Sequence, residues 1–279
     1  MAEIGKRNLL NITRETKSGL YLDGGDLGEI LLPGRYVPSD VKMDAALDVF
    51  LYRDSEDRLV ATTEKPYAML GQFGFLTVKH VHPRMGAFLD WGLSKDLLLP
   101  YAEQSKPLNA GDRVIVVVCI DSNTDRMIAS ARIVDHVNKE PACYATGDGV
   151  RLLVMSESPL GYTAIVDDAH LGLLYRSELS APMVIGQRAE GFVREVRPDG
   201  KIDLGLDAAG YERIAPLTEQ IIEALQTAGG RLNFDDESTP DEIRLRFGVS
   251  KRAFKQALGA LFRERRISFM KPGIELSKP

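Results

Sequence analysis

The residues of this chain that could do chemistry are mostly flat rings and cations. In the middle of the sequence they occupy two strand-like stretches and the segments beside them: Phe75, Lys79, Phe88, Trp91, Lys95, Arg113 and Arg126. An aromatic ring can stack on an unpaired base, which is worth about 1–3 kcal/mol, and a cation can neutralise a phosphate. We therefore interpret these residues as candidate contacts to single-stranded nucleic acid. For each ring, the alternative is a place in a hydrophobic core.

A second group of cations lies near the C-terminus. Residues 250–266 carry six basic side chains against Glu264 alone, a local net charge of +5. Lys251, Arg252 and Lys255 fall in the first turns of a predicted helix, where basic side chains and free backbone N–H groups favour phosphate. These three are further candidate contacts to nucleic acid. The alternatives are a solvated helix face and a protein-binding surface.

The sequence carries no recognisable signature of catalysis or metal binding. It has no GxSxG, Walker or HExxH motif and no acidic cluster spaced to hold two metals. His80 and His82 share one side of a strand, but no third metal ligand is evident. Asp167–Asp168 and Asp235–Glu237 lie in turn-like stretches, which favours solvated loops or helix caps. We expect no catalytic residue, no bound metal and no cofactor.

The composition is that of an ordinary globular protein. The chain has 279 residues, of which 44% are hydrophobic and 27% charged. No apolar run approaches the roughly 18 residues of a membrane span, and the N-terminus lacks an apolar signal core. The two cysteines, Cys119 and Cys143, have no CxxC spacing, which favours a reducing compartment over a disulfide scaffold. We therefore expect a cytoplasmic protein with no membrane partner.

The distribution of charge separates the segments of the chain. The net charge of −5 excludes a uniformly basic surface, so any polyanion site must be a local patch. Residues 65–138 carry 8 basic and 7 acidic side chains, and residues 211–279 carry 12 and 10. Residues 1–64, with 8 against 12, and residues 139–210, with 7 against 11, are acidic. This distribution favours a site on the second and fourth segments.

One pattern of short strands occurs three times. Each copy begins with an apolar strand and then a glycine that opens an apolar or aromatic strand, at Gly19, Gly86 and Gly161. A Leu-rich strand, a long β-rich run, a charged turn and a final strand follow. Each copy therefore predicts about five strands, and five strands in some 65 residues suit a small closed barrel without exposed edges.

The last part of the chain has a different period. Helical spacing of apolar residues begins near residue 214, and two more helices are predicted on either side of Gly248. Thr239, Pro240 and Glu242 have the spacing of a capped helix start, and Ser250 can cap the next helix. A β-hairpin over residues 267–276 follows. This order of elements predicts a winged helix that contains a helix-turn-helix.

Two stretches resemble the S1 RNA-binding domain, a five-stranded OB fold: Gly86-Ala87-Phe88-Leu89 and Gly172–Leu179. The whole chain resembles the conserved virulence factor B family of bacterial RNA-binding regulators. The stretches that carry this resemblance are Asp54–Arg58, Gly86–Gly92 and Ser250–Lys255. The resemblance places Phe88 on the ligand face of its barrel. It also places Tyr175 where the domain type has an RNA-binding histidine, which makes Tyr175 a further candidate.

Together these observations predict a mainly β protein with an α/β tail. We expect three tandem five-stranded OB-fold (S1-like) barrels over 1–64, 65–138 and 139–209, followed by a winged-helix domain over 210–279. The expected function is non-enzymatic binding of single-stranded RNA, through the OB barrels and the winged helix, by a post-transcriptional regulator. The ribosome and RNA-processing proteins are further candidate partners. The alternative is a DNA-binding transcription regulator or a protein-binding adaptor that acts through the winged helix.

Overall fold

The computed structural model describes residues 2–43, 45–122, 124–140, 142–206 and 211–277, with side chains from residue 217 onward in the last range. The chain divides into two compact units, Met1–Val137 and Asn138–Pro279. The first unit holds two β-barrels and the second holds a third barrel and a helical domain. None of the helices in the described residues is both long and apolar enough to cross a membrane.

The first barrel contains five strands. They are β1 (Arg7–Thr16), β2 (Gly19–Asp23), β3 (Glu29–Pro33), β4 (Ala46–Arg53) and β5 (Leu59–Thr62). The sheet closes in the order β1-β2-β3-β5-β4, with β3 and β5 parallel. Alternate residues point inward, so Leu20 and Leu22 of β2 are buried while Tyr21 between them faces out.

The second barrel repeats this arrangement. Its strands are β6 (Phe73–His82), β7 (Gly86–Asp90), β8 (Leu97–Pro100), β9 (Arg113–Ile120) and β10 (Met127–Ser130). They form a five-stranded sheet in the order β10-β9-β6-β7-β8, and the short helix α1 (Ile133–His136) follows. Phe50, Tyr52 and Val60 of the first barrel share a hydrophobic cluster with the second barrel, so the two barrels pack together.

The third barrel lies in the second unit. Its strands are β11 (Gly149–Glu157), β12 (Gly161–Val166), β13 (His170–Tyr175), β14 (Arg188–Val196) and β15 (Ile202–Gly205). They close in the order β11-β12-β13-β15-β14, the same order as in the first barrel. The predicted fold class, three OB-type barrels and a winged helix, is thereby confirmed for the barrels.

The repeated glycine of the three copies has a steric cause. Gly19, Gly86 and Gly161 open the second strand of each barrel with φ of 137°, 128° and 154°. A Cβ atom on any of them would lie 2.0–2.2 Å from a carbonyl oxygen of the neighbouring strand. Only glycine allows the two backbones to come this close.

The remainder of the second unit is a winged helix. It contains α2 (Tyr211–Thr227), β16 (Arg231–Leu232), α3 (Pro240–Phe247), α4 (Lys251–Arg263), β17 (Ile267–Phe269) and β18 (Ile274–Leu276), with sheet order β16-β18-β17. Thr239 and Glu242 form the predicted capping box of α3, and the Ser250 side chain accepts a hydrogen bond from the Ala253 N–H at the start of α4. The winged-helix prediction is confirmed.

The strands of the three barrels end at Thr62, Ser130 and Gly205. We therefore propose domain boundaries near residues 64 and 138, as the repeat pattern predicts. The third predicted boundary, at residues 209 and 210, lies outside the described residues.

Candidate nucleic-acid interface

The outer face of the second barrel is organised by the pairing of β6 and β7. Ala87 and Leu89 of β7 are buried inside the barrel, so Phe88 and Asp90 point outward. The register shifts between Val78 and His80, which is the mark of a β-bulge. The bulge places His80 directly opposite Phe88 on the outer face.

His80 and Phe88 form a stacked aromatic pair on this face. Their ring centroids are 4.6 Å apart and the ring planes differ by only 9°. His80 is exposed and Phe88 is half-buried. Two parallel rings at an accessible sheet face are the geometry that continues into a stack with an unpaired base.

The same barrel also has a cation–π contact, between Phe75 of β6 and Arg113 of β9. The Arg113 guanidinium carbon lies 4.1 Å from the Phe75 ring centroid, and its Nη2 donates to the Phe75 carbonyl oxygen at 3.4 Å. The guanidinium thus covers one face of the ring. A guanidinium plane held in this way can itself stack on a base while its charge attracts a phosphate.

Lys79 is the residue of the β6 bulge, between Val78 and His80, which both pair with residues of β7. Its Nζ lies 2.7 Å from Oδ1 of Asp96, and this hydrogen bond raises the pKa of Lys79. The ammonium group therefore stays charged, but Asp96 already compensates much of that charge. Lys79 remains a predicted RNA contact of the same barrel.

Trp91 is not exposed, so its predicted role as a stacking ring is wrong. The side chain is only 2% exposed, and its Nε1 donates to the Lys95 carbonyl oxygen at 2.5 Å. Its ring meets Phe50 of the first barrel edge to face, with centroids 5.8 Å apart. Burial of a large apolar ring between the barrels is favourable, and no base can reach it there.

Lys95 and Arg126 lie at the junction of the first two barrels. The Lys95 Nζ donates to the carbonyl oxygens of Arg53, at 2.7 Å, and Asp54, at 3.1 Å. Burial lowers the pKa of Lys95, with the nearby Arg126 charge as a second cause. Arg126 pairs with Asp57 of the first barrel at 3.3 Å. Lys95 and Arg126 thus both make contacts within this junction, and their predicted contacts to RNA remain predictions.

Tyr175 ends β13 and belongs to a polar cluster on the third barrel. Its hydroxyl contacts the Arg197 guanidinium and lies 3.4 Å from Oδ1 of Asp203. Arg197 also pairs with Asp203 at 2.9 Å, which raises the pKa of Arg197. The ring is half-buried, and its predicted contact to RNA remains a prediction.

The first barrel carries a ring that the sequence analysis missed. Tyr21 stands opposite Arg14 across the same kind of bulge that pairs Phe88 with His80. The Arg14 guanidinium carbon lies 3.8 Å from the Tyr21 ring centroid, and Glu29 holds the guanidinium at 2.9 Å. The signal was present, because Tyr21 follows Gly19 by two residues as Phe88 follows Gly86. The acidic charge of residues 1–64 instead favoured a site on other segments of the chain.

The predicted basic residues of α4 are brought together. Lys251, Arg252 and Lys255 line a cavity of about 450 Å³ with Ser177, Pro240 and Gln256. Each of the three also has a partner. Arg252 forms an ion pair with Glu178, Lys255 lies 3.7 Å from Asp236, and the Lys251 Nζ donates to the Glu237 carbonyl oxygen at 3.4 Å. The cavity is therefore cationic, with its charge partly compensated.

The histidines and cysteines are not grouped into a metal site in the described part of the chain. His80 stacks on Phe88, and the His82 Nδ1 accepts a hydrogen bond from the Arg84 N–H at 3.2 Å. Across the described residues, no three histidine, cysteine or acidic side chains converge to hold a metal ion. Burial raises the pKa of Cys119 to about 11, so its thiol stays protonated at neutral pH.

Comparison with known proteins gives family matches near both ends of the chain and relatives over most of its length. The S1 domain family matches residues 4–64, and the CvfB-like winged helix domain family matches residues 219–276. The S1 match lies on the first barrel, whereas the S1-like motifs of the sequence lie in the second and third copies. Both matches agree with the barrels and the winged helix described above.

Full-length relatives are also found. The uncharacterized protein YitL of Bacillus subtilis is 30% identical over 94% of this chain and 90% of its own length. Conserved virulence factor B of Staphylococcus epidermidis is 25% identical over 86% of this chain and 82% of its own length. A crystal structure of a multidomain protein with nucleic acid binding domains from Streptococcus pneumoniae aligns over 98% of both chains, with 23% identity and a TM-score of 0.40.

Proposed function

The chain belongs to the conserved virulence factor B family, and we propose that it is a non-enzymatic RNA-binding protein. We propose further that it acts as a post-transcriptional regulator in the cytoplasm. Its ligand is single-stranded RNA. The observation that carries this proposal is the stacked pair of His80 and Phe88 on the outer face of the second barrel, with Lys79 and Arg113 on the same barrel.

The geometry favours unpaired over paired nucleic acid. Parallel rings at an accessible sheet face offer stacking to a base, and a base is free to stack on protein only when it is not enclosed in a duplex. Each stacked base contributes about 1–3 kcal/mol, largely independent of its identity. Linked barrels raise the effective concentration of each site for the next segment of the same strand. Ribosomes and RNA-processing proteins remain proposed partners through the bound RNA.

The start of α4 argues against the alternative of a duplex-DNA reader. A helix that reads DNA must enter the major groove, which is about 12 Å wide, with its N-terminal residues. Here Arg252 pairs with Glu178 of the third barrel, and the Arg244 Nη2 of α3 donates to the Leu179 carbonyl oxygen at 3.0 Å. These contacts tie the start of α4 to the third barrel, which disfavours its entry into a groove of duplex DNA.

The proposal is tested by replacing Phe88. Phe88→Ala should weaken binding to a fluorescent oligouridine about 5- to 100-fold, because one stacking ring is lost. Tyr67→Ala is the matched control, since Tyr67 is a 63% exposed aromatic residue of the same unit that belongs to neither β6 nor β7. Binding would be measured by fluorescence anisotropy, with thermal unfolding as the check on folding.

Two results would contradict the proposal. One is equal affinity of the wild-type chain for oligouridine and for duplex DNA of the same length, abolished by Lys251→Ala, Arg252→Ala and Lys255→Ala together. That result would favour the transcription regulator. The other is unchanged RNA affinity in a folded Phe88→Ala variant, which would remove the ring-bearing face from the site.

A further inference from the structure

Two phenylalanines of the winged helix are unusually exposed. All ten phenylalanines of the chain lie in the described residues, and only Phe262 and Phe269 among them are exposed, at 52% and 45%. Their ring centroids are 5.3 Å apart with the planes tilted by 48°. They therefore form one accessible aromatic surface, which neither the S1 likeness nor the ring-bearing face of the second barrel includes.

The fold places these rings beyond the edge of the hydrophobic core. Helix α4 buries Phe254, Leu258 and Leu261, so Phe262 is turned away from the core. The wing is the hairpin of β17 and β18. Strand β17 buries Ile267 at its start, and Phe269 ends the strand next to the turn of this wing. The turn is closed by the Met270 N–H, which donates to the Gly273 carbonyl oxygen at 2.8 Å. Both rings thus stand where α4 meets the wing.

Two exposed cations lie close to the two rings along the chain. Arg265 follows α4, and its backbone N–H donates to the Phe262 carbonyl oxygen at 3.0 Å. Lys271 lies in the wing turn, two residues after Phe269. Both side chains are exposed, and within the described part of the chain neither has a hydrogen-bond or ion-pair partner for its charged group. Arg266, in contrast, pairs with Glu219 at 3.0 Å and is compensated.

We propose that Phe262, Phe269, Arg265 and Lys271 form a second stacking site for single-stranded RNA, separate from the cavity at the start of α4. This inference rests on the proposed function and adds the wing to it. The rings would stack on one or two unpaired bases, and the two cations would contact the phosphates beside them.

The size of the surface favours a nucleic acid over a protein partner. A stable protein interface buries about 800 Å² on each side, whereas two fully buried phenylalanines supply at most about 500 Å². A base needs only the area of one ring face. The uncompensated cations at the edge are also what a polyanion requires, while an apolar protein surface would leave them desolvated.

The test uses the full-length chain, a fluorescent oligouridine of about 30 nucleotides, which is long enough for several sites of 4–16 nucleotides, and an abasic strand of the same length. Phe269→Leu keeps the apolar packing with Phe262 but removes the flat face, and Phe269→Tyr keeps both. We expect Phe269→Leu to weaken oligouridine binding about 5-fold or more, Phe269→Tyr to leave it unchanged, and neither to alter binding of the abasic strand. Arg265→Gln with Lys271→Gln should weaken binding of both strands.

Several outcomes would overturn this site. If Phe269→Leu and Phe269→Tyr bind oligouridine as the wild type does while Phe88→Leu binds more weakly, the wing is not a site and the proposed function stands. If wild type does not bind oligouridine, both proposals fail. Photocrosslinking to 5-bromouridine RNA gives a readout that does not depend on a variant's folding: an adduct on the peptide containing Phe269 supports the site, and adducts confined to the barrels overturn it.

Discussion

Trp91 of the second barrel meets Phe50 of the first barrel edge to face, with ring centroids 5.8 Å apart. The ring lies in a hydrophobic cluster that draws residues from both barrels. The indole N–H is satisfied by the Lys95 carbonyl oxygen, and Lys95 in turn reaches the Arg53 carbonyl oxygen. A short segment of the second barrel therefore fastens the two barrels to each other.

Replacement of Trp91 should accordingly reduce stability rather than RNA affinity. Trp91→Ala removes a buried indole and leaves a cavity, so we expect the free energy of unfolding to fall by about 3–5 kcal/mol. Urea denaturation monitored by circular dichroism would measure the loss. The exposed Tyr67→Ala should change stability by no more than about 0.5 kcal/mol. A stable Trp91→Ala variant with weakened RNA binding would show that the ring acts at the RNA site after all.

Gly86 should tolerate no side chain. In Gly86→Ala the new Cβ would lie 2.2 Å from the Leu99 carbonyl oxygen, in a backbone with φ of 128°. Overpacking and backbone strain each cost about 1–3 kcal/mol, so we expect severe loss of stability. Gly111→Ala is the matched control, because Gly111 also has a positive φ, of 90°, but no atom would lie within 4 Å of the new Cβ. Similar melting temperatures for the two variants would contradict the steric explanation of the repeated glycine.

Glu29 should give the first barrel a pH-dependent contribution. A hydrogen bond from the Arg14 side chain lowers the pKa of Glu29 below its ordinary value of 4.5. A carboxyl whose folded pKa is lowered stabilises the fold fully above its unfolded pKa and loses that contribution as the pH falls through the folded value. The stability difference between the wild type and Glu29→Gln should therefore be largest above pH 4.5 and shrink below it.

Chemical denaturation at several pH values would follow this difference. Glu15→Gln serves as the control, because the exposed Glu15 side chain of β1 has no hydrogen bond or ion pair in the described structure. A difference that grows on acidification would mean that the Arg14 contact does not favour the ionised carboxylate.

The repeats and caps were predictable because their causes are local. A glycine that must let two backbones approach, and a Thr–Glu pair that caps a helix, can both be recognised within a few residues. The position of Trp91 could not be predicted in this way, since its partner Phe50 lies 41 residues earlier and belongs to another barrel. Flat aromatic residues next to a strand look the same in sequence whether they meet a base or a neighbouring domain.

The stacked pair on the second barrel shows a second limit. Strict alternation would place Phe75, Thr77 and Lys79 on one side of β6 and His80 on the other. The bulge between Val78 and His80 interrupts this alternation, so His80 moves to the outer side and lies opposite Phe88. A bulge arises from the pairing of two strands and the twist of the barrel. The residue types at this position, Lys79 and His80, do not indicate one. The sequence thus indicated the ring but not its partner.

Arg113 should contribute a full phosphate contact to RNA binding. No carboxylate pairs with its guanidinium in the described part of the chain, so a phosphate can take the place of bound counterions. Arg113→Ala should reduce the slope of log affinity against log salt concentration by about 0.7, the value for one phosphate of a single strand. Lys79→Ala should change the slope less, because Asp96 already pairs with Lys79 at 2.7 Å.

Anisotropy titrations with oligouridine over a range of salt concentrations would measure both slopes. Arg58→Ala is the control, since Asp54 and Glu56 both bind that guanidinium; an equal loss of slope in all three variants would mean that the effect reflects net charge and not contact at this face.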